Sequence, residues 1–387
     1  MNIAIIGDLH LGYRQYGLDE REQDFYQRWN QIIDDIIARR NIDVILQLGD
    51  IFDTHIPSSI ALYEYEKGLA KLQEADIQYY SITGNHTIIR KKNFMSPDDL
   101  FFKISEATSL DDSHVIIGDV FIAGVKYRSE SNKTDLLEVI QKHVEASKKH
   151  SGLKVLLLHQ AVDLDLVYGA ELTEEDLPYN DFDYIFIGHL HSRIERKHNN
   201  CHIIYPGSIE RNSTTEAKDA INRGKGFYIF DTEKNQCGWV DIPLYRQFYF
   251  FENVNEDNIK LIRENIKSTR KPVVELSFQS FDVERAHEIA NIISDDCLRL
   301  NVVVSNDIEE NEDGELLHEQ SISSLQEMLE QKVSKNEAVF AYDLLQIFNK
   351  NATKNDNIVS AIELADKYFE DNYQKLQKNT STSTGGG

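Results

Sequence analysis

No stretch of about 18 consecutive apolar residues occurs anywhere in the 387-residue chain, which removes a membrane span. Cysteine is scarce: Cys201, Cys237 and Cys297 are far apart and odd in number. Neither a disulfide framework nor a zinc ribbon fits that spacing, and a reducing cytoplasm is the expected setting. The N-terminus enters an apolar strand at Ile3–Ile6 without a basic segment or small-residue cleavage site, so no export signal is expected. Basic residues are outnumbered, 41 against 65 acidic, for a formal charge of -24. Composition alone therefore argues against nucleic acid, whose phosphates are normally held by Lys and Arg. A DNA enzyme with this balance must keep its acids away from the DNA path or borrow affinity from a basic partner.

Hydrophobic residues make up 41% and charged residues 27%, as in an ordinary globular protein with a sizeable core. Over the first ~230 residues short apolar runs alternate with helical patterns, which implies a layered α/β sheet. Strands are expected at Asn2–Gly7, Asp43–Leu48, Gln78–Ile82, Lys154–His159 and Asp183–Gly188. Between them, Asp24–Arg39, Ser58–Ala75 and Thr134–Lys149 carry apolar residues at helical spacing. A hairpin is expected over Val115–Gly118 and Val120–Gly124, and further strands at His202–Tyr205, Gly226–Asp231 and Gly238–Ile242. From 245 to 305 the pattern reads strand, helix, strand, helix, strand, a small α+β domain. The acidic run Asp307–Glu315 reads as a solvated linker. Beyond it, apolar stripes such as Ile358, Ile362, Ala365 and Phe369 mark amphipathic helices. Pattern alone leaves these packed on the protein itself or on another protein's helices.

Five short motifs carry chemistry: Gly7-Asp8-Leu9-His10, Gly49-Asp50-Ile51-Phe52-Asp53, Gly84-Asn85-His86, Leu158-His159-Gln160 and Gly188-His189-Leu190-His191. Singly, each has a bland reading as turn chemistry or a hydrogen-bonded loop histidine. Together they fall past the carboxyl ends of successive strands, where ligand sites of open α/β sheets lie. Asp8 and His10, two apart, can face one point, and His189 and His191 repeat that spacing. Asp50 has two oxygens and can bridge two cations, the arrangement of in-line phosphoryl displacement. Imidazole, carboxylate and amide donors favour Mn, Fe or Zn over Mg.

The order D-x-H, GD, GNH, H, GHxH resembles the calcineurin-like metallophosphoesterases over residues 1 to about 230. Gly7–Gly12, Gly49–Asp53, Tyr205-Pro206-Gly207-Ser208-Ile209-Glu210-Arg211 and Lys225-Gly226-Phe227 narrow the resemblance to the SbcD / Mre-eleven DNA-repair nucleases. It implies an α/β protein with a four-layer α-β-β-α metallophosphoesterase fold over 1–244 and a small α+β DNA-capping domain over 245–305. An acidic linker (306–320), a helical segment gripping a coiled-coil ATPase of the SbcC or Rad-fifty type (321–375) and a disordered tail (376–387) would follow. It implies two Mn ions, the first on Asp8, His10, Asp50 and His191, the second on Asp50, Asn85, His159 and His189. His86 would stand beside the scissile phosphate, as proton donor or transition-state stabiliser. Thr87 departs from the Asp that usually follows Gly-Asn-His. Asp53 stands where archaeal and eukaryotic members usually carry His and bacterial ones Asp, with His55 nearby as a substitute imidazole. Arg211, Lys218, Arg223 and Lys225 form the most basic local cluster, a solvated loop or a contact to the DNA backbone, with Arg211, Arg223 and Lys225 the expected contacts. The activity implied is 3′–5′ exonuclease action on duplex ends and endonuclease action on single strands, in double-strand break repair, by a homodimer pairing through Asp24–Arg39 or Ser58–Ala75. The rivals are a small-molecule phosphodiesterase or phosphatase with the same metal core, and a non-catalytic scaffold.

Overall fold

In the computed structural model the described residues are 1–88, 95–163, 170–279 and 281–305. The expectations for 306–320, 321–375 and 376–387 lie outside them. The first half of the chain runs β1 (Asn2–Ile6), α1 (Asp19–Arg39), β2 (Val44–Gln47), α2 (Ser59–Glu74), β3 (Gln78–Ser81), α3 (Pro97–Ile104) and β4 (Ala107–Ser109). The hairpin β5 (Ser113–Ile117) and β6 (Val120–Val125) leads into α4 (Lys133–Ser147), β7 (Leu153–His159), and the short pair β8 (Val162–Asp163) and β9 (Leu172–Thr173). Then come β10 (Tyr184–Gly188), β11 (Ile194–His198), β12 (Cys201–Tyr205), α5 (Thr214–Arg223), β13 (Gly226–Asp231) and β14 (Gln236–Asp241).

These strands make two six-stranded sheets, ordered β14-β13-β1-β2-β3-β4 and β11-β12-β10-β7-β6-β5. Their inner strands are parallel, and β13 and β11 run antiparallel to their neighbours. The sheets face each other. Ile3 and Ile5 of β1 share a buried cluster with Val155 and Leu157 of β7, while Ala4 and Ile6 turn to the cluster holding Trp29 and Ile33 of α1. Leu156 and Leu158 of β7 pack on the other side with Val139 and Val144 of α4. Alternate side chains leave opposite faces of a strand, so a run apolar at every position must be covered on both faces. Helix, sheet, sheet, helix is the resulting order of layers.

Residues 245–305 build a separate three-stranded parallel sheet from β15 (Phe248–Phe251), β16 (Val273–Gln279) and β17 (Arg299–Ser305), with α6 (Ile259–Asn265) and α7 (Val283–Ala290). The sheet has its own apolar core, including Ile262, Leu276, Phe278 and Ile289. Met1–Asn306 nevertheless form one compact unit. Buried charge joins the two parts: Arg246 binds Asp24 of α1 through Nε (2.6 Å) and Nη2 (3.1 Å). Phe248 takes the guanidinium groups of Arg21 and Arg211 at 4.8 and 5.2 Å from its ring centre.

Strands β4, β8, β9 and β11 are additional to the sequence reading, and three helices differ from it. Helix α1 begins at Asp19, earlier than Asp24, with Asp19, Glu20 and Glu22 in a first turn that favours negative charge. Helix α3 has only eight residues, too few to show an apolar period. Residues 214–223, read as a loop, are helix α5, whose buried face is Glu216, Ala217 and Ala220.

Candidate active site

All five motifs emerge from the carboxyl ends of β1, β2, β3, β7 and β10, and their side chains converge. His10 Nε2 and His191 Nε2 meet at 3.0 Å, with Asp8 Oδ2 3.6 Å from His191 Nε2. Beside them, Asn85 Oδ1 lies 3.0 Å from His159 Nε2 and 2.8 Å from His189 Nδ1. Asp50 Oδ2 stands between the two groups, 3.2 Å from His159 Nε2 and 4.0 Å from His10 Nε2. Two metal-competent clusters result, Asp8–His10–His191 and Asp50–His159–His189, and a third set, His10–Asp50–His86, joins them. The seven residues proposed as ligands from sequence are therefore brought to one place.

The backbone there is held in uncommon conformations. His10, Asp50 and His189 have φ of 46°, 49° and 87°, a region that costs a non-glycine residue energy and clusters at functional sites. Two glycines make room. A Cβ on Gly84 would stand 2.2 Å from Asp50 Oδ1, and one on Gly49, itself at φ 93°, would stand 2.4 Å from His159 Nδ1. Larger residues at either position would push ligands out of the cluster.

Supporting atoms set the ring orientations. His159 Nδ1 donates to the Leu48 carbonyl at 2.6 Å, which turns Nε2 toward Asp50 and Asn85. His86 Nδ1 donates to the Asp53 carbonyl at 2.6 Å, leaving Nε2 3.9 Å from Asp50 Oδ2 at the rim, half-buried. The Asp53 carboxylate sits between two rings, 3.6 Å from His10 Nδ1 and 3.8 Å from His86 Nδ1. His55 is exposed.

The charges are strongly coupled. Burial alone would lower His159, but the charge of Asp50 and their hydrogen bond outweigh it and raise His159 to about 9. Burial acts against Asp50, yet His159, His10 and His86 hold it well below the carboxylate range. Asp8 is raised by burial, partly offset by His159. His189 falls to about 3 through burial and the neighbouring His159. An anionic Asp50 and a neutral His189 are the ligand forms that cations require. The donor set is oxygen and imidazole nitrogen without thiolate, and it fits two borderline divalent cations sharing Asp50.

The basic cluster is not one exposed patch. Lys225 is buried, its ammonium donating to the His191 carbonyl (2.8 Å), Ser208 Oγ (2.7 Å) and Glu216 Oε1 (2.5 Å). Arg211 is buried against Phe248. Lys218 is exposed but paired with Glu275 at 2.6 Å, and Arg223 binds Asp219 and the Arg193 carbonyl. Of the three residues chosen as DNA contacts only Arg223 faces solvent; Arg211 and Lys225 are corrected to internal supports. The reason is the helix that the sequence reading took for a loop.

Glu216 was missed. Its carboxylate lies 3.5 Å from His191 Nδ1 and accepts from Ser208, Lys225 and the Asn212 amide. Lys225 and His191 hold it below its ordinary range despite burial. Ser213-x-x-Glu216 reads as a capping box, and Ser213 does cap α5 by accepting from the Glu216 amide. The glutamate, however, turns to the site. Tyr127, whose ring centre is 5.9 Å from that of His189, gave no sequence signal either.

Residues 1–193 match the calcineurin-like phosphoesterase family. The DNA double-strand break repair protein Mre11 of Methanococcus maripaludis is 32% identical over 96% of this chain and 100% of its own length. Mre11 of Methanocaldococcus jannaschii is 34% identical over 71% of this chain and 75% of its own. Mre11 of Thermoplasma acidophilum is 30% identical over 70% and 74%. Conserved length and a site assembled from all five motifs lead to one assignment: this chain belongs to the Mre11 family of calcineurin-like phosphoesterases.

Proposed function

We propose that this protein is a manganese-dependent DNA nuclease of double-strand break repair, acting as a 3′–5′ exonuclease on duplex ends and an endonuclease on single strands. The observation that carries the reading is the pair of clusters, Asp8–His10–His191 and Asp50–His159–His189, with Asp50 Oδ2 standing between them and His86 Nε2 3.9 Å from it. Two cations bound there would activate water and neutralise charge developing on the phosphoryl oxygens. Asp8, His10, Asp50 and His191 would hold one, and Asp50, Asn85, His159 and His189 the other. His86, oriented through its Nδ1, presents Nε2 to protonate the leaving oxygen or to stabilise the transition state. Glu216 and Lys225 fix His191 through its ring and its carbonyl. Of the three residues expected to contact DNA, Arg223 at the end of α5 is the exposed one able to reach a DNA backbone.

The rival small-molecule phosphodiesterase would need no 245–305 domain seated on α1 by Arg246 and Asp24. The assay that separates them offers single-stranded DNA, duplex DNA and a small phosphodiester to the Mn-loaded protein. DNA cleavage is expected; hydrolysis of the small ester with DNA left intact would refute the reading.

A homodimer is supported by an apolar surface on α2 and α3, neighbouring helices whose Tyr65 and Phe101 rings meet inside at 4.8 Å. Outside, Ile60 and Tyr63 of α2 and Ile104 of α3 are 52%, 64% and 64% exposed, and Ile56 just before α2 is 77% exposed. Exposed apolar side chains on two helices that meet inside are candidates for an association site. Helix α1, by contrast, turns its apolar face, with Phe25, Trp29, Ile32, Ile33 and Ile36, into the core. Ile60→Glu combined with Ile104→Glu should halve the mass by sedimentation while small-ester hydrolysis per chain persists; an unchanged dimer would remove this face.

With a charge of -24, DNA affinity is assigned mainly to a coiled-coil ATPase bound through residues 321–375. Deleting 321–375 should abolish its recovery in a pull-down, and undiminished recovery would exclude that segment. Three cysteines, all free, agree with a cytoplasmic location. No helix among the described residues is long and apolar enough to cross a membrane.

A further inference from the structure

Carboxylates from three different segments fasten the loop that carries Asn85 and His86. Thr83 donates from its amide and its hydroxyl to Asp111, both at 2.8 Å. The His86 amide donates to Asp50 Oδ1 at 3.0 Å. The Thr87 hydroxyl donates to Asp98 Oδ2 at 2.5 Å. Asp50 belongs to the metal cluster, and Asp111 faces Lys126 near the surface. Asp98 has no such second task.

Asp98 lies in the first turn of α3, where an exposed acid would already satisfy the helix dipole. Instead its side chain is fully buried, and so is Thr87. Its other oxygen, Oδ1, has no hydrogen-bond partner among the described residues, and no basic side chain pairs with it there. The surroundings are the buried phenols Tyr65 and Tyr79, both pushed up mainly by burial, with Asp98 adding to the rise. Burial lifts the Asp98 carboxyl itself to about 7, against the hydrogen bond from Thr87. Burying a carboxylate in such a place is costly, and an apolar residue would fill the space at less cost. What the acid adds is a directional hold on Thr87, the residue adjoining His86.

We propose that Asp98 is a positioning residue for His86: from the start of α3 it grips the Thr87 hydroxyl and thereby sets the angle at which His86 meets the scissile phosphate. The assignment rests on the nuclease reading above. Asp98 touches neither the metal cluster nor the phosphate path, so its loss should leave metal uptake alone. It should also leave substrate affinity alone, because Asp98 is fully buried and offers substrate no contact. The defect should appear in kcat.

The test compares Asp98→Ala, Asp98→Asn, Thr87→Val and the double variant Thr87→Val/Asp98→Ala, with Mn binding measured by calorimetry and cleavage of single-stranded DNA by kinetics. Asp98→Ala and Thr87→Val should each lower kcat roughly 10- to 100-fold, the cost of misplacing a reacting group by about 1 Å. KM and both Mn affinities should stay within about twofold, a split that loss of fold would not give. Asp98→Asn keeps an acceptor for Thr87 and should restore most of kcat. The double variant should be no slower than either single, since both remove one contact. Wild-type kcat in Thr87→Val, equal losses in Asp98→Asn and Asp98→Ala, or a change confined to KM or metal uptake would each overturn the proposal. If Asp98→Ala does not fold, the near-isosteric Thr87→Val and Asp98→Asn decide the matter alone. Failure of the wild-type protein to cut DNA with both metals bound would instead overturn the nuclease reading.

Discussion

Replacing His86 with alanine is expected to lower kcat for DNA cleavage by about 10²- to 10⁴-fold, the range attached to a positioned proton-transferring group. At 25 °C that is about 3–5 kcal/mol of transition-state stabilisation. Mn uptake should change little, because the two clusters close without His86: Asp8, His10 and His191 on one side, Asp50, His159 and His189 on the other. KM should hold as well, since an interaction made only in the transition state shows in kcat. His86→Asn separates position from proton transfer. Its amide can still reach the Asp53 carbonyl but cannot protonate a leaving oxygen near neutral pH. If His86→Ala loses metal in proportion to activity, His86 is a ligand and the proposed role is wrong.

The second large effect belongs to Asp50. Asp50→Asn keeps the shape and the acceptor for the His86 amide, but removes the charge that stands between the two clusters. Metal affinity should fall by more than the ~10–100-fold typical of outer supports, and cleavage with it. The proton count supplies an independent readout. In the metal-free protein His159 holds its proton up to about pH 9, because Asp50 stabilises the imidazolium against burial. Metal uptake at neutral pH must displace that proton, so affinity rises as pH climbs towards 9. Asp50→Asn takes away the counter-charge, and buried His159 then loses its proton at lower pH. Calorimetry in buffers of different ionisation enthalpy should show less proton release by the variant at pH 7.5. Equal release by both proteins would contradict the coupling.

The same residues show what the sequence could and could not convey. Runs such as Ile3–Ile6 and Leu156–Leu158 are apolar at consecutive positions, which announces strands covered on both faces. Such runs do not say which sheet they join, and the pattern alone gave layers without the two-sheet count. That came from the resemblance, and the packing of Ile3 and Ile5 on Val155 and Leu157 shows its physical form. The ligands were legible because each follows an apolar run and a glycine or a turn. Their supports were not. Glu216 falls in a stretch that reads as a loop, Asp98 in one with no helical period, and Lys225 reads as a solvated loop residue or a DNA contact. Only the approach of distant segments, α5 to His191 and α3 to Thr87, turns them inward. Helix α5 itself buries two alanines and a glutamate, too little apolar area to register as periodic.

The proposed chemistry turns on two cations sharing Asp50, and a metal titration tests them directly. Metal-stripped protein is given Mn in steps from zero to three equivalents per chain, and cleavage of single-stranded DNA is followed at each step. Little cleavage is expected through the first equivalent, a rise across the second and a plateau beyond it. Full activity at one equivalent, or two bound equivalents with the DNA left intact, would contradict the proposed chemistry.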